Sequence, residues 1–179
     1  NTTGTRNIAI GTSSYYASDT ENDNIAIGYQ AMTTNTAGGE ENTAIGNYSM
    51  DATTSGSANV ALGHNSLSAN TTGSSNTALG RHAMITNTTG NSNTAIGRMA
   101  MQANTTGNFN TAVGRDAMNA STTGTNNVGV GAYALTAITT GTENVAIGFE
   151  AMRLMTTASS SVAIGNEALE NNVAAENVA

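Results

Sequence analysis

The sequence predicts an all-β fold, a β-solenoid or β-roll of about ten 17-residue coils, and three observations predict it. A motif of the form Asn-x-Ala-x-Gly recurs through the whole chain, ending at Gly11, Gly28, Gly46, Gly63, Gly80, Gly97, Gly114, Gly131, Gly148 and Gly165. Its spacing is 17 residues except for one step of 18, which is too short for helical-pair repeats or propeller blades. Within each unit, apolar residues alternate with a period of two between glycines, the pattern of short strands and tight turns.

Each position of the unit has a physical assignment. Three residues before the anchor glycine the side chain is always β-branched, from Ile8 to Val162, and one residue before it is always Ile, Leu or Val. Residues two apart share a strand face, so these make one stacked apolar stripe. Between them lies Ala, or Gly129 in one coil, on the opposite face. A second strand is expected past the glycine, with Ala or Ser at the third position and Met or Leu at the fourth (Met32, Met84, Leu135), Tyr15 excepted. The methionines then read as core filling.

The anchor glycines and the loop glycines (Gly4, Gly38, Gly56, Gly73, Gly90, Gly107, Gly124, Gly141) read as turn positions where φ > 0 excludes other residues. Asn four residues before the anchor, in nine coils, is expected to form a hydrogen-bonded ladder along the stack. With the larger apolar face filling the single internal layer, the Ala faces would lie outside, where chains could approach closely. The expectation is therefore an oligomer built on the Ala faces, most simply a homotrimer. Ten coils at about 4.8 Å each would give roughly 48 Å of fibre. Both ends of the sequence fall inside a repeat, so residues 1–179 are expected to be a single array cut from a longer fibre.

Runs such as Asn144-Val145-Ala146-Ile147-Gly148 and Ser161-Val162-Ala163-Ile164-Gly165 resemble the head repeats of trimeric autotransporter adhesins, the YadA-like head. The resemblance covers all ten units and implies a homotrimeric, left-handed parallel β-roll on a cell surface, binding host glycans or matrix proteins. The added Asn-Thr-Thr-Gly loop makes each coil longer than in those heads. In that respect the repeat is also similar to those of phage and bacterial tail fibres, which implies a virion tail fibre as the other extracellular location.

Composition narrows the functional classes. Only 9% of residues are charged, against roughly 25% in ordinary domains, and Pro, Cys and Trp are absent. The absence of Cys removes disulfides and thiolate metal sites. A net charge of −7 argues against nucleic acid as a partner. No apolar run is long enough for a membrane helix, so no direct membrane contact is expected of this segment. No catalytic constellation, metal-ligand spacing or cofactor motif is read, so the chain is expected not to be an enzyme and to carry no cofactor.

The candidate binding residues follow the anchor glycine in four consecutive coils: His64, Arg81, Arg98 and Arg115. Like charges stacked at about 4.8 Å repel unless a carboxylate or a ligand compensates, and Asp116 is the local candidate. The functional reading is a basic stripe for an anionic glycan or acidic partner. A second row, Thr72, Thr89, Thr106, Thr123, Thr140 and Thr157, resembles the threonine files of ice-binding solenoids. Asn70, Asn87 and Asn104 head Asn-Thr-Thr glycosylation sequons. The expected function is adhesion or receptor binding by an extracellular fibre, with a purely structural spacer as the alternative and ice binding as a lesser one.

Overall fold

The computed structural model describes residues 3–18, 20–35 and 38–171. Each coil contributes one three-residue strand: β1 (Ile8–Ile10), β2 (Ile25–Ile27), β3 (Thr43–Ile45), β4 (Val60–Leu62), β5 (Thr77–Leu79), β6 (Thr94–Ile96), β7 (Thr111–Val113), β8 (Val128–Val130), β9 (Val145–Ile147) and β10 (Val162–Ile164). The ten form one parallel sheet in chain order. Register is strict: Thr77 pairs with Thr94, Ala78 with Ala95 and Leu79 with Ile96. The solenoid predicted from the repeat is the fold.

Stacking extends round the whole coil. On the sheet side the Thr77 amide donates to the Asn93 carbonyl at 2.8 Å. On the far side Met84 N donates to Ala100 O at 3.0 Å, and Thr88 N to Thr105 O at 2.9 Å. The 18-residue step between Ile25 and Thr43 is absorbed without breaking the register.

The expected second strand is absent from the described residues. Past each anchor glycine the chain makes two successive turns, Ala83 N donating to Gly80 O at 3.2 Å and Asn87 N to Met84 O at 3.1 Å. The residues two and four past the glycine are left-handed, as His82 (φ 60°) and Met84 (φ 50°) illustrate. A β-branched side chain is strongly disfavoured there. That is why the fourth position takes Met, Leu or Tyr and never Val or Ile, whereas the first residue of every strand is β-branched. The break in alternation also turns adjacent positions inward together: Ala83 and Met84 are both buried.

The two faces of the strand are inverted relative to the expectation. The central Ala of the strand faces inward and is fully buried from Ala26 to Ala163, Gly129 standing in its place in β8. Its β-branched and Ile/Leu/Val neighbours face outward, with Leu62 48% and Ile96 38% exposed. The cause is space. A Cβ added at Gly129 would lie 3.0 Å from Met118 Cγ, so the thioether column already occupies the ground opposite the strand. Only a methyl group fits between. The exterior Ala faces on which an oligomer was expected therefore do not exist, and the large apolar side chains form the external face instead.

The glycine assignments divide. Gly80 has φ +138°, and a Cβ there would stand 2.5 Å from the carbonyl oxygen of Gly97. At the loop glycine Gly124 the reason is close approach alone: its φ is not positive, but a Cβ would meet Gly141 O at 2.6 Å.

The predicted Asn ladder is present. Asn93 N donates to Asn76 Oδ1 at 3.0 Å while its Nδ2 donates to the loop carbonyl of Gly107 at 2.8 Å, and Asn110 and Asn127 repeat both bonds. A second buried file lies seven residues past the anchor: Ser18, Asn35, Thr53, Asn70, Asn87, Asn104, Ser121, Ile138 and Met155. Asn87 Nδ2 donates to Asn70 Oδ1 at 2.8 Å and Asn104 Nδ2 to Asn87 Oδ1 at 2.7 Å. Among the described residues, the buried side-chain atoms without a partner, Ser18 Oγ, Asn35 Oδ1, Thr53 Oγ1, Asn104 Oδ1 and Ser121 Oγ, all belong to this file, at places where the run of Asn is broken.

Two outcomes are expected in denaturant titrations. Ala95→Val overfills the interior and should destabilise the coil stack by about 1–3 kcal/mol, whereas Thr94→Ser on the outer face should change it by less than about 0.5 kcal/mol. Ser121→Asn should extend the second ladder, satisfy Asn104 Oδ1 and stabilise the chain by about 1 kcal/mol; a loss of stability would contradict the ladder geometry.

Candidate functional site

The residues one and two past each anchor glycine sit at the corner of the turn that closes on the third, the second of them half-buried at Tyr48, His82 and Tyr133 and buried at Asp116. Because coils stack in register, these corners align into a ridge along the fibre axis, bordering the outward column of Ile, Leu and Val. The four sequence-predicted residues, His64, Arg81, Arg98 and Arg115, all lie on it and are exposed.

The ridge is longer than those four residues. The Tyr29 and Tyr48 rings meet edge to face at 5.3 Å, Tyr48 meets His64 at 5.9 Å, and His64 lies 5.8 Å from His82. Beyond the arginines, the Arg115 guanidinium sits 4.6 Å over the Tyr133 ring, which meets Phe149 edge to face at 6.2 Å. A basic centre is therefore flanked by aromatic rings on both sides. Tyr48, His82 and Tyr133 escaped the sequence reading because they stand two residues past the glycine, and the stripe was followed at the first position alone. Tyr29 and Phe149 were in that first position, but they break the run of charge.

Electrostatically the centre is under-compensated. Asp116 Oδ2 lies 3.2 Å from Arg98 and 3.7 Å from Arg115, so the expected carboxylate serves two guanidinium groups at once. Arg6 is paired with Asp23, and Arg153 with Glu150 and Glu170. Arg81 is the arginine with no ion pair among the described residues. The positive field also reaches His82: partial burial, then Arg81, His64 and Arg98, hold its pKa below the ordinary histidine value. Arg98 also donates to Met99 Sδ, at 3.2 Å, so its stem lies along the ridge.

Two other sequence features resolve differently. The threonines Thr72, Thr89, Thr106, Thr123, Thr140 and Thr157 form an exposed file, as the spacing predicts. Their neighbours turn inward along the axis, Thr88 Oγ1 donating to Thr105 O at 3.0 Å. The sequon residues Asn70, Asn87 and Asn104 are fully buried and their amides are spent on the second ladder, so a glycan cannot be carried there by the folded coil. No group of three or more His, Asp or Glu suited to a metal ion occurs among the described residues.

No family model, curated protein or solved structure matches the chain.

The His82 shift sets a pH dependence. With its folded pKa below the unfolded value, the unfolded chain binds more protons in that interval, and stability is lost as the pH falls through the ordinary histidine range. His82→Gln should flatten this acid-side decline in the denaturation midpoint between neutral and mildly acidic buffer; an unchanged slope would count against His82 as its origin.

Proposed function

We propose that the chain is a segment of an extracellular fibre that acts in adhesion or receptor binding, with the ridge through His64, Arg81, Arg98 and Arg115 as its contact surface. The observation that carries this reading is the unpaired Arg81 at the centre of an exposed basic run, in a chain whose net charge is −7. Charge of the minority sign, gathered on consecutive coils and left partly uncompensated, costs Coulomb energy that the fold has no evident use for. A ligand anion would remove that cost. The repeat resemblance to surface adhesins and tail fibres supports the same reading, and the location proposed with it is a cell surface or a virion.

The assembly we propose is a homotrimer, formed through the outward columns of Thr/Val/Ile and Ile/Leu/Val rather than through alanine. These two columns run the length of the sheet, with Ile8, Ile10, Val60, Leu62, Ile96, Ile147 and Ile164 all markedly exposed, which is unusual for a surface left to water. The ridge would then border each seam between chains.

Light scattering on the purified chain tests the assembly: a trimer is expected, Leu79→Glu combined with Ile96→Glu should release monomers, and a well-dispersed monomeric wild type would overturn it. Binding of the same protein to arrayed host glycans and matrix proteins tests the function, Arg81→Ser combined with Arg98→Ser being expected to remove the signal. A wild-type chain that binds nothing on the array would leave the mechanical spacer as the correct reading.

A further inference from the structure

The ridge holds more information than its charge. It is two corner positions wide and follows the axis, with Tyr29 and Tyr48 at one end, His64, Arg81, His82, Arg98 and Arg115 in the middle, and Tyr133 and Phe149 at the other. From the coil of Tyr29 to that of Phe149 is seven steps, about 34 Å at the strand spacing, and the basic run from His64 to Arg115 takes up about 14 Å of it. A compact ligand would use a fraction of that length. A ligand that uses all of it must itself be linear, must carry anions near its middle, and must offer small apolar patches to isolated ring faces.

Resting on the adhesive reading above, we propose that the ridge binds a linear acidic polysaccharide, lying parallel to the fibre axis. Its sulfate or carboxylate groups meet Arg81 and the outer faces of Arg98 and Arg115, and its sugar C–H faces pack on Tyr29, Tyr48, Tyr133 and Phe149. Guanidinium groups match carboxylate and sulfate oxygens with two parallel hydrogen bonds. The electron-rich face of an aromatic ring attracts polarised C–H bonds, and Tyr29 and Phe149 are 42% and 45% exposed.

The alternative polyanion, single-stranded nucleic acid, fits less well. Neighbouring rings stand at 75° to 86° to one another along Tyr29–Tyr48–His64 and at Tyr133–Phe149. Successive bases stack on platforms of like orientation. Here adjacent rings turn edge to face, so each ring offers one separate sugar-sized face rather than a continuous stacking surface.

The test is calorimetry on the assembled wild-type protein with heparin oligosaccharides of increasing length, inorganic polyphosphate and single-stranded oligothymidylate. Heparin should bind with an affinity that rises with length until the ridge is covered and that falls with added salt. Arg81→Ser should weaken both heparin and polyphosphate by about tenfold, equivalent to about 1.4 kcal/mol. Tyr29→Ala combined with Phe149→Ala should weaken heparin several-fold and leave polyphosphate unchanged.

Oligothymidylate binding as tight as heparin would overturn the proposal, as would heparin affinity indifferent to the aromatic pair. A change of oligomeric state in Arg81→Ser, with heparin affinity unaltered, would make the ridge an inter-chain seam and overturn it too. Binding to an arrayed matrix protein without any heparin binding would overturn the polysaccharide while leaving the adhesive reading standing.

Discussion

Every part of this molecule answers to one constraint: each coil must lie on the next in register, at the spacing of paired β-strands, all the way round its circumference. The strands meet it through sheet bonds such as Thr77 N to Asn93 O, and the far wall through Met84 N to Ala100 O. At that spacing a side chain has its own copy directly above and below it. Wherever backbones face each other along the axis, as at Gly80 over Gly97, no Cβ is tolerated. Where polar groups must be buried, they are of a kind that can bond to their own copies, which is what the amide of Asn does and what Ser121 and Thr53 do not.

The same constraint fixes the interior. A coil of this length encloses one file of Met or Leu, two files of small residues, one file of Asn, and a fifth in which Asn gives way to Ser, Thr, Ile or Met. Substitution follows from the geometry: a methyl group too many on the inner face disturbs several coils, while the outer face has room for Thr, Val, Ile or Leu. It also accounts for the low charge, since the turns need glycine, the interior is filled mainly by small, aliphatic, thioether or amide side chains, and the outer strand face by Ile, Val, Leu and Thr. Charge is left to the corners, as at Arg81 and Arg98, and to loop and turn positions such as Asp23, Glu143 and Arg153.

Stacking is also what gives the surface its capacity to recognise anything. Three-residue strands make no pocket, yet any residue type repeated at one corner becomes a row. The ridge from Tyr29 to Phe149 arises this way: scattered single residues of a linear sequence become neighbours because their coil positions coincide. Asp116, shared between Arg98 and Arg115, is placed by the same coincidence.

Much of this was legible beforehand. The period, the anchor glycines and the Asn ladder need only the recurrence of one residue type at one spacing, and the four basic residues were found by following a single position through the repeat. The second position of the corner, with Tyr48, His82 and Tyr133, went unread because ring contacts between adjacent corner positions are not a spacing in the sequence. The apparent second strand was a pair of turns, whose left-handed residues leave only an indirect mark, the lack of Val and Ile at the Met position.

By itself, then, the sequence determined that the chain is a solenoid, how long each coil is and where its strand ends. Which face of the strand lies inside was decided only in three dimensions. Alternation marks two faces without saying which one closes, and here both are apolar. The choice fell to volume: the Met column takes the space opposite the strand, so alanine goes in and the large β-branched side chains go out.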